Sequence, residues 1–413
     1  MQQNIAFSEK ALELQAIARK IADEVVRPGA AHADKHSEYN MKAARAVADA
    51  GLFRAWIPEA YGGLDAGVLA LALIAEELAK ADSGFGVAYA VNALGSFPIL
   101  LGGTEEQKQK WMPKIAAGET FVAFCLSEKF AGSDASGLAV RAVRDGDHYV
   151  INGEKKWTTN GGVADVYSVF AVTDPTSKSR RISAFIVEKG TPGFTIEKVE
   201  DKMGIRGVPV VETHFKDVRV PVENLIGGRE GMGFKHAMTT LDHARPGVAA
   251  QAVGASQGAL DLANAYANRR VQFKVPISQH QMVQQMLADM AMKTEAARQL
   301  TYASAAAIDA EGPNPSNSKM AAMAKCFASD VAMEVATDAV QVFGGYGFME
   351  DYPIAKFFRD AKILQIYEGT NQIQRIVIAR HLIRESNALE HLQEFIPTEE
   401  QHAYNAPSME PVS

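Results

Sequence analysis

The chain has 413 residues, of which 47% are hydrophobic and 22% are charged, and it carries a net charge of −7. This length predicts two or three domains, and the composition excludes a disordered chain. The acidic balance argues against a nucleic-acid-binding surface and against a polybasic membrane anchor.

Residues 1–120 are predicted to form an N-terminal helical domain. Apolar residues recur at helical spacing over Ala11 to Val25, Met41 to Leu52 and Val68 to Leu78. The first ten residues lack the apolar run of a signal peptide and the arginine-rich pattern of a transit peptide. No stretch approaches the roughly 18 apolar residues that a spanning helix needs. We therefore expect a cytoplasmic protein without a membrane partner.

Residues 121–231 are predicted to form a middle domain made of β-strands. Short β-rich runs are separated by two hairpin-turn signals, Asp145-Gly146 and Asn152-Gly153. The runs are Phe121 to Leu126, Ala139 to Arg144, His148 to Ile151, Val166 to Val172, Ile182 to Val187, Phe194 to Val199 and Val211 to Val220.

Residues 232–386 are predicted to form a C-terminal helical bundle, and residues 387–413 a tail with little periodicity. Met282, Met286 and Met290 mark one face of a helix and are interpreted as core residues. Asn317 or Ser318 is expected to cap a helix over Met320 to Val342 that Gly344-Gly345 ends. A last helix is predicted from Asn371 to Arg384.

Several common catalytic patterns are absent or out of context. No glycine-rich phosphate loop follows a strand, no HExxH is present, and the ten histidines form no ligand-spaced cluster. Two cysteines, Cys125 and Cys326, are too few for a disulfide framework or a cysteine-rich metal site. Gly254 to Gly258 match GxSxG, but the match lies in an alanine-rich helical run with no strand before it. We interpret these small residues as a site of close helix packing and expect no metal.

Two segments of the middle domain are candidates for cofactor binding. Cys125 to Asp134 join a β-run to a loop rich in Gly, Ser and Asp, whose hydroxyls and backbone N–H groups suit a phosphate or a ring edge. An ordinary polar turn would explain this segment equally well. Gly153 to Gly161 contain Trp157 beside Thr158 and Thr159, which suits an aromatic cofactor. The alternative is that Trp157 is a buried core residue.

A third segment contains a candidate catalytic base. Glu368 lies among apolar residues and precedes Gly369, so its carboxylate is expected to be partly desolvated. Desolvation raises the pKa of a carboxyl group and makes it a better base. From the residues alone, a capping role for Glu368 at the start of the last helix is slightly favoured over catalysis.

Together, and in this order, these segments resemble the acyl-CoA dehydrogenase family over roughly residues 5–385. The matching features are Leu-Ser-Glu-x-x-Ala-Gly-Ser-Asp, Trp-Thr-Thr, Gly-Gly-x-Gly and Tyr-Glu-Gly-Thr. The resemblance implies an α+β multi-domain fold with a helical N-terminal domain, a middle β-barrel domain and a C-terminal four-helix bundle. It also implies FAD bound at a subunit interface of a homotetramer, a dimer of dimers.

The resemblance assigns roles to individual positions. Glu368 would be the catalytic base, and Ala244 stands where other members of the family place theirs, which strengthens the case for Glu368. Ser133 would lie near the FAD pyrophosphate or the CoA arm. The other substrate contacts would be Asp242, Arg245, Tyr367 and Gly369. The other FAD contacts would be Phe124, Leu126, Ser127, Trp157, Thr159, Arg270, Phe273, Ile277, His280, Gln281, Gln341, Gly344, Gly345, Thr370 and Gln372.

The implied reaction is desaturation of an acyl-CoA thioester to the 2-enoyl-CoA. Glu368 would take the α-proton while a β-hydride passes to flavin N5, and an electron-transferring flavoprotein would reoxidise the FAD. Small residues between Gly84 and Pro98, with Phe85 where glutaryl-type members carry an arginine, favour a short- or medium-chain acyl group.

Alternatives to this reaction stay open. The substrate could be an aromatic, cyclic or dicarboxylic acyl-CoA, with decarboxylation, since Lys129 is an unplaced cation near the flavin loop. An acyl-CoA oxidase, a flavin monooxygenase, a DNA-associated relative and an inactive homologue are the other classes. Local departures from the family are Lys129-Phe130 in place of Pro-Gly and a Phe273-Lys274-Val275 turn without its usual glycine.

Overall fold

The first part of the chain is helical, as expected. In this computed structural model, residues 5, 7–385, 389 and 391–392 are described. The N-terminal helices are α1 (Glu9–Ile21), α2 (Arg27–His36), α3 (Met41–Asp49), α4 (Gly67–Ala81), α5 (Ser83–Gly102) and α6 (Glu105–Ala116). The single helix predicted to Val25 gives way to a π-helical turn, Ala22–Val26, which leads directly into α2.

Helix α5 corrects the expectation that no stretch is apolar enough to span a membrane. It has 20 residues and a mean hydropathy of 1.5 in its most apolar window, so it passes that test by length and composition. However, 89% of the window is buried inside the protein, and the helix packs against α4 and α7. An apolar helix that is enclosed on all sides is a core helix of the fold.

The middle part is one curled sheet of seven strands in the order β1-β4-β2-β3-β7-β6, with β5 paired to β4. Strand β4 pairs in parallel with β1 and β2, whereas the other pairs are antiparallel. The strands are β1 (Val122–Cys125), β2 (Arg141–Asp145), β3 (His148–Thr159), β4 (Val166–Val172), β5 (Ile182–Glu188), β6 (Phe194–Val199) and β7 (Val210–Pro221).

One of the two predicted hairpin turns is present, and the other is wrong. Asp145 pairs with His148, so Gly146 and Asp147 form a two-residue turn between β2 and β3. Asn152-Gly153 does not turn the chain, because β3 continues through it with a shift in its register against β7. Gly153 takes a φ of +134° there, and a Cβ atom would come within 2.8 Å of Val140. The glycine therefore serves a β-bulge and a close approach.

The last part is helical and contains four long helices, α7, α8, α9 and α11. Its elements are α7 (Gly233–Arg269), β8 (Val271–Gln272), β9 (Val275–Pro276), α8 (Gln281–Glu311), α9 (Pro315–Phe343), α10 (Pro353–Leu364) and α11 (Asn371–Glu385). These match the expected bundle. Most of the predicted tail, 387–413, lies outside the described residues.

Two local predictions for the bundle are wrong. Helix α9 is capped by Asn314, whose side chain accepts from the backbone N–H of Asn317, and not by Asn317 or Ser318. Pro315 fills the first helical position, where its missing N–H is not needed. Of the three methionines interpreted as core, Met290 is buried, but Met282 is 70% exposed. That helix face is therefore only partly covered within one chain.

The GxSxG match lies inside α7 and serves helix packing, as interpreted. A Cβ atom at Gly254 would come within 2.3 Å of the carbonyl oxygen of Glu76 in α4. A Cβ atom at Gly258 would come within 2.5 Å of the carbonyl oxygen of Lys80. These glycines let the backbones of α4 and α7 approach closely.

A buried charge network joins all three parts of the chain. The Lys356 ammonium on α10 donates to Asp82, at the start of α5, and to Asp360. Asp360 also accepts from the backbone N–H of Ile205 in the middle domain. Burial alone would lower the pKa of Lys356, but the two carboxylates outweigh this effect and raise the pKa above its usual value. This network holds the three parts in a fixed arrangement.

Candidate active site

The first two predicted segments meet side by side. The backbone N–H of Lys156 on β3 donates to the carbonyl oxygen of Ser127, at 2.9 Å, just after β1. The Sγ atom of Cys125 lies 3.4 Å from the hydroxyl of Thr158. Residues that are some 30 positions apart in sequence therefore lie side by side where the end of β1 meets β3, as a shared cofactor site requires.

A buried ion pair fixes the loop between these segments. The Lys155 ammonium donates to Glu128, at 2.7 Å, and to the carbonyl oxygen of Leu126, at 2.9 Å. Glu128 in turn accepts from the backbone N–H groups of Ala139 and Val140 at the other end of the loop. Burial lowers the pKa of Lys155 to about 8, although Glu128 opposes that shift. The loop that carries Ser127 and Ser133 is thus closed at both ends.

Trp157 is not a core residue, so the alternative interpretation of it is wrong. Its side chain is 55% exposed, and its backbone has a φ of +57° at a register shift between β3 and β7. Thr158 is buried beneath it, whereas Thr159 is half-buried. A strained, outward-facing tryptophan beside a threonine hydroxyl presents a flat apolar face to a ligand. This arrangement fits the ring system of a flavin.

Glu368 lies in the turn that connects α10 and α11. Its φ is +51°, and that of Gly369 is +92°. The side-chain amide of Gln374 donates to the carbonyl oxygens of both residues, at 3.2 and 3.0 Å. The Thr370 hydroxyl accepts from the N–H of Ile373 and so caps α11. The Glu368 carboxylate is free for another role, and the capping interpretation of it is wrong.

The surroundings of the Glu368 carboxylate suit a base. Its Oε2 atom is buried and has no hydrogen-bond partner among the described residues. Burial raises the pKa of Glu368 to about 7, even though the charges of Arg245 and Lys325 favour the anion. A carboxyl group with this pKa is divided between its two forms near neutral pH, which is where a general base works best.

Helix α7 forms one wall around Glu368. Arg245 is buried and donates to Asp242 at 2.6 Å. Its positive charge also attracts the Glu368 carboxylate. The hydroxyl of Tyr367 donates to Gln251, one and a half turns further along α7. Ala244 is buried beside Arg245 and cannot act as a base. The structure thus gathers four predicted positions, Arg245, Tyr367, Glu368 and Gly369, around one carboxylate.

A second group of predicted residues lines an open groove of about 550 Å³ at one end of the bundle. Arg270, Ile277, Gly344 and Gly345 are among its lining residues. The Arg270 guanidinium lies over the ring of Tyr346, 5.3 Å from its centroid. A cation, exposed glycine backbone and aromatic rings suit the diphosphate and adenine of a dinucleotide.

The remaining predicted residues surround these two places. Phe273 is 90% exposed beside the groove, with its ring 5.7 Å from that of His280. Phe124 and Leu126 are half-buried at the sheet edge, and Thr370 caps α11. Ser133, Gln281, Gln341 and Gln372 are exposed, and their binding roles stay predictions.

Two glycines of the small-residue stretch in α5 serve packing, so they are not evidence for the width of an acyl pocket. A Cβ atom at Gly86 would meet Ala79 at 2.6 Å, and one at Gly95 would meet Val122 at 2.8 Å. Both glycines therefore serve close packing against α4 and β1. Phe85 is buried.

Sequence reasoning missed two features that only the fold brings together. Lys325 on α9 is fully buried and reaches the Glu368 turn. The sequence feature that could have indicated this is a lone lysine inside the apolar run Ala321 to Ala328. Glu154, Glu212 and His214 bring possible metal ligands within 4.8 Å of one another through the pairing of β3 with β7. Lys156 already contacts Glu212, so a lysine neutralises charge in this cluster.

Three family models match in chain order. They are the N-terminal, middle and C-terminal domains of acyl-CoA dehydrogenase, over residues 8–119, 123–218 and 231–383. The probable acyl-CoA dehydrogenase FadE25 of Mycobacterium tuberculosis is 48% identical over 372 residues, which are 90% of this chain and 95% of that protein.

Solved structures agree with this assignment. Butyryl-CoA dehydrogenase from Megasphaera elsdenii is 43% identical with a TM-score of 0.89, over 93% of this chain and 100% of that one. A chain from work on the electron transferring flavoprotein of Acidaminococcus fermentans is 48% identical with a TM-score of 0.90, over 92% and 100%. The chain therefore belongs to the acyl-CoA dehydrogenase family, and it is an FAD-dependent oxidoreductase.

Proposed function

We propose that this protein converts an acyl-CoA thioester to the 2-enoyl-CoA, with Glu368 as the base that removes the α-proton. The observation that carries the proposal is the buried, unpartnered Oε2 atom of Glu368 and the pKa of about 7 of its carboxyl group. FAD, when bound, supplies the acceptor for the hydride that leaves the β-carbon. The exposed face of Trp157 and the hydroxyl of Thr159 are the groups that we assign to hold its ring system.

The residues around Glu368 divide the work of binding and proton transfer. The α-proton of a thioester is a weak acid, so the developing enolate needs hydrogen-bond donors at its oxygen. We assign the backbone N–H of Glu368 to this role, because the left-handed turn presents the backbone and the carboxylate together. Arg245 and Lys325 stabilise the anionic form that accepts the proton, and Tyr367, held by Gln251, lines the same site.

A short- or medium-chain acyl group is the substrate that we propose. The likeness to butyryl-CoA dehydrogenase supports it, and so does the buried aromatic ring of Phe85, which offers no charge to a second carboxylate. We further propose that an electron-transferring flavoprotein accepts the electrons, as the likeness to the Acidaminococcus chain suggests. A homotetramer would cover exposed apolar side chains such as Phe273 and Met282.

The direct test is anaerobic titration of the purified FAD-loaded protein with a panel of acyl-CoAs. The panel contains butyryl-, octanoyl-, isobutyryl-, 3-phenylpropanoyl- and glutaryl-CoA, and the readout is loss of the oxidised-flavin absorbance. We expect butyryl- or octanoyl-CoA to bleach the flavin, with slow reoxidation by oxygen. Bleaching by glutaryl-CoA alone would overturn the substrate proposal, rapid oxygen consumption would indicate an oxidase, and no bleaching by any member would overturn the reaction.

A further inference from the structure

Lys325 is a fully buried lysine on α9 that reaches the backbone of the Glu368 turn. Its ammonium donates to the carbonyl oxygen of Gly369 at 2.9 Å and to the side-chain oxygen of Asn371 at 3.0 Å. Its neighbours on α9, Ala324 and Ala328, are small and buried as well. A buried ammonium is costly unless it is paired, so the position needs a reason.

The contacts of Lys325 fall on the strained part of the turn. Glu368 holds a left-handed φ of +51°, a conformation that costs a residue with a side chain about 1 kcal/mol or more. Such a backbone persists only where its surroundings fix it. The carbonyl of Gly369 is held from two sides, by Lys325 and by Gln374.

Asn371 connects the lysine to the rest of α9. Its side-chain amide donates to Ser329 at 2.9 Å and to Asp330 at 2.7 Å, while its oxygen accepts from Lys325. The start of α11 is thereby tied to one full turn of α9. Moving Lys325 would remove one of the two donors to the Gly369 carbonyl and the donor to the Asn371 side-chain oxygen, and so would loosen both sides of the turn beside Glu368.

We propose that Lys325 is the positioning residue for the catalytic base: its ammonium fixes the Glu368–Gly369 turn and supplies a buried counter-charge to the Glu368 carboxylate. The inference rests on the proposed function, in which Glu368 is the base. It adds that the base depends on a cation from α9. Among the described residues, this ammonium donates to the carbonyl oxygen of Gly369 in the turn and to Asn371, the first residue of α11.

The charges around the pair are few. Glu368 faces Arg245 from α7 and Lys325 from α9, and Tyr367 adjoins it in the turn. Lys325 faces Glu368 and Arg245, with Cys326 and Asp330 on its own helix. Of these two cations, Arg245 is paired with Asp242, whereas Lys325 has no carboxylate in direct contact among the described residues. Burial lowers the pKa of Lys325 to about 8, and Glu368 opposes that shift.

The test measures the proton affinity of Glu368 directly. The FAD-loaded protein is labelled with ¹³C at the glutamate carboxyl groups and titrated by NMR, and the signal that disappears in Glu368→Gln identifies this residue. In Lys325→Met we expect the titration midpoint of Glu368 to rise by about one pH unit, because an opposite charge has been lost. Lys325→Arg keeps the charge and should return the midpoint toward that of the wild type. Lys319→Met removes a half-buried lysine of the same helix that is paired with Glu385 and should leave the midpoint unchanged.

A reciprocal titration covers the case in which Lys325→Met does not fold. In Glu368→Gln, labelled at the lysine side chains, the midpoint of Lys325 should fall below that of the wild type, since coupled sites shift one another equally. A Glu368 midpoint that is equal in wild type and Lys325→Met, or a Lys325 midpoint that is unmoved in Glu368→Gln, would overturn the inference. Neither result concerns turnover, so failure of the proposed function would show separately, as reduction of the flavin by acyl-CoA that persists in Glu368→Gln.

Discussion

Replacing Glu368 by Gln should stabilise the protein at neutral and alkaline pH. Burial raises the pKa of Glu368 from its usual 4.5 to about 7. The folded protein therefore keeps a proton that the unfolded chain loses between these two values, and folding becomes less favourable as the pH rises through that window. The carboxylate costs about 3 kcal/mol above pH 7, a cost that the neutral amide of Gln avoids.

The assay compares urea midpoints of wild type and Glu368→Gln, both loaded with FAD, at pH 5 and pH 8. Most of the predicted window lies between these values, so the advantage of the variant should grow by about 2 kcal/mol from the lower to the higher pH. Glu295→Gln is the control and should destabilise the protein. Hydrogen bonds from Gln299 and Arg298 lower the pKa of Glu295, so its carboxylate favours the folded state. An advantage of Glu368→Gln that stays constant with pH would refute the account of a desolvated base.

Three further substitutions test the framework of the site. Lys155→Met leaves Glu128 buried and unpaired, and should cost about 3–5 kcal/mol in urea unfolding and lower the FAD content of the purified protein; full FAD content would contradict the role of this pair. Gly254→Ala should lower stability by about 1–3 kcal/mol, because the new methyl group meets a carbonyl of α4. Gly247→Ala on the same helix should be neutral or stabilising, because its methyl group has Leu71 no closer than 4.0 Å. Equal effects of the two substitutions would contradict the packing argument. Lys274→Gly should raise the thermal midpoint, since Lys274 has a φ of +70° in the two-residue turn between β8 and β9; an unchanged midpoint would show that the turn is not strained.

The order and type of the elements could be predicted because each signal was local. Helical spacing, β-rich runs and the Asp145-Gly146 turn depend on neighbours in sequence. The failures occur where tertiary context decides. Asn152-Gly153 has the sequence of a turn, but the pairing of β3 with β7 carries the strand through it as a bulge. Helix α5 is apolar along its length because it is buried inside the protein; it does not face lipid.

The site was predicted as a set of positions but not as an environment. The motifs pointed to Glu368 but did not show whether its carboxylate caps α11. In the structure Thr370 caps the helix, so the Glu368 carboxylate is free. Lys325 escaped notice because its partner lies 44 positions away, at the carbonyl of Gly369. Sequence indicated small residues in α5, but only the packed structure shows that Gly86 and Gly95 fill contacts between elements and do not widen a pocket.

The central claim is that Glu368 is the base, and the rate of anaerobic flavin bleaching by the best acyl-CoA tests it most directly. The account predicts that Glu368→Gln binds FAD normally and bleaches at least about 10³-fold more slowly than the wild type, because no other group takes the α-proton. Glu295→Gln, at a partly exposed position on α8, should bleach at the wild-type rate. Bleaching of Glu368→Gln at the wild-type rate would contradict the account.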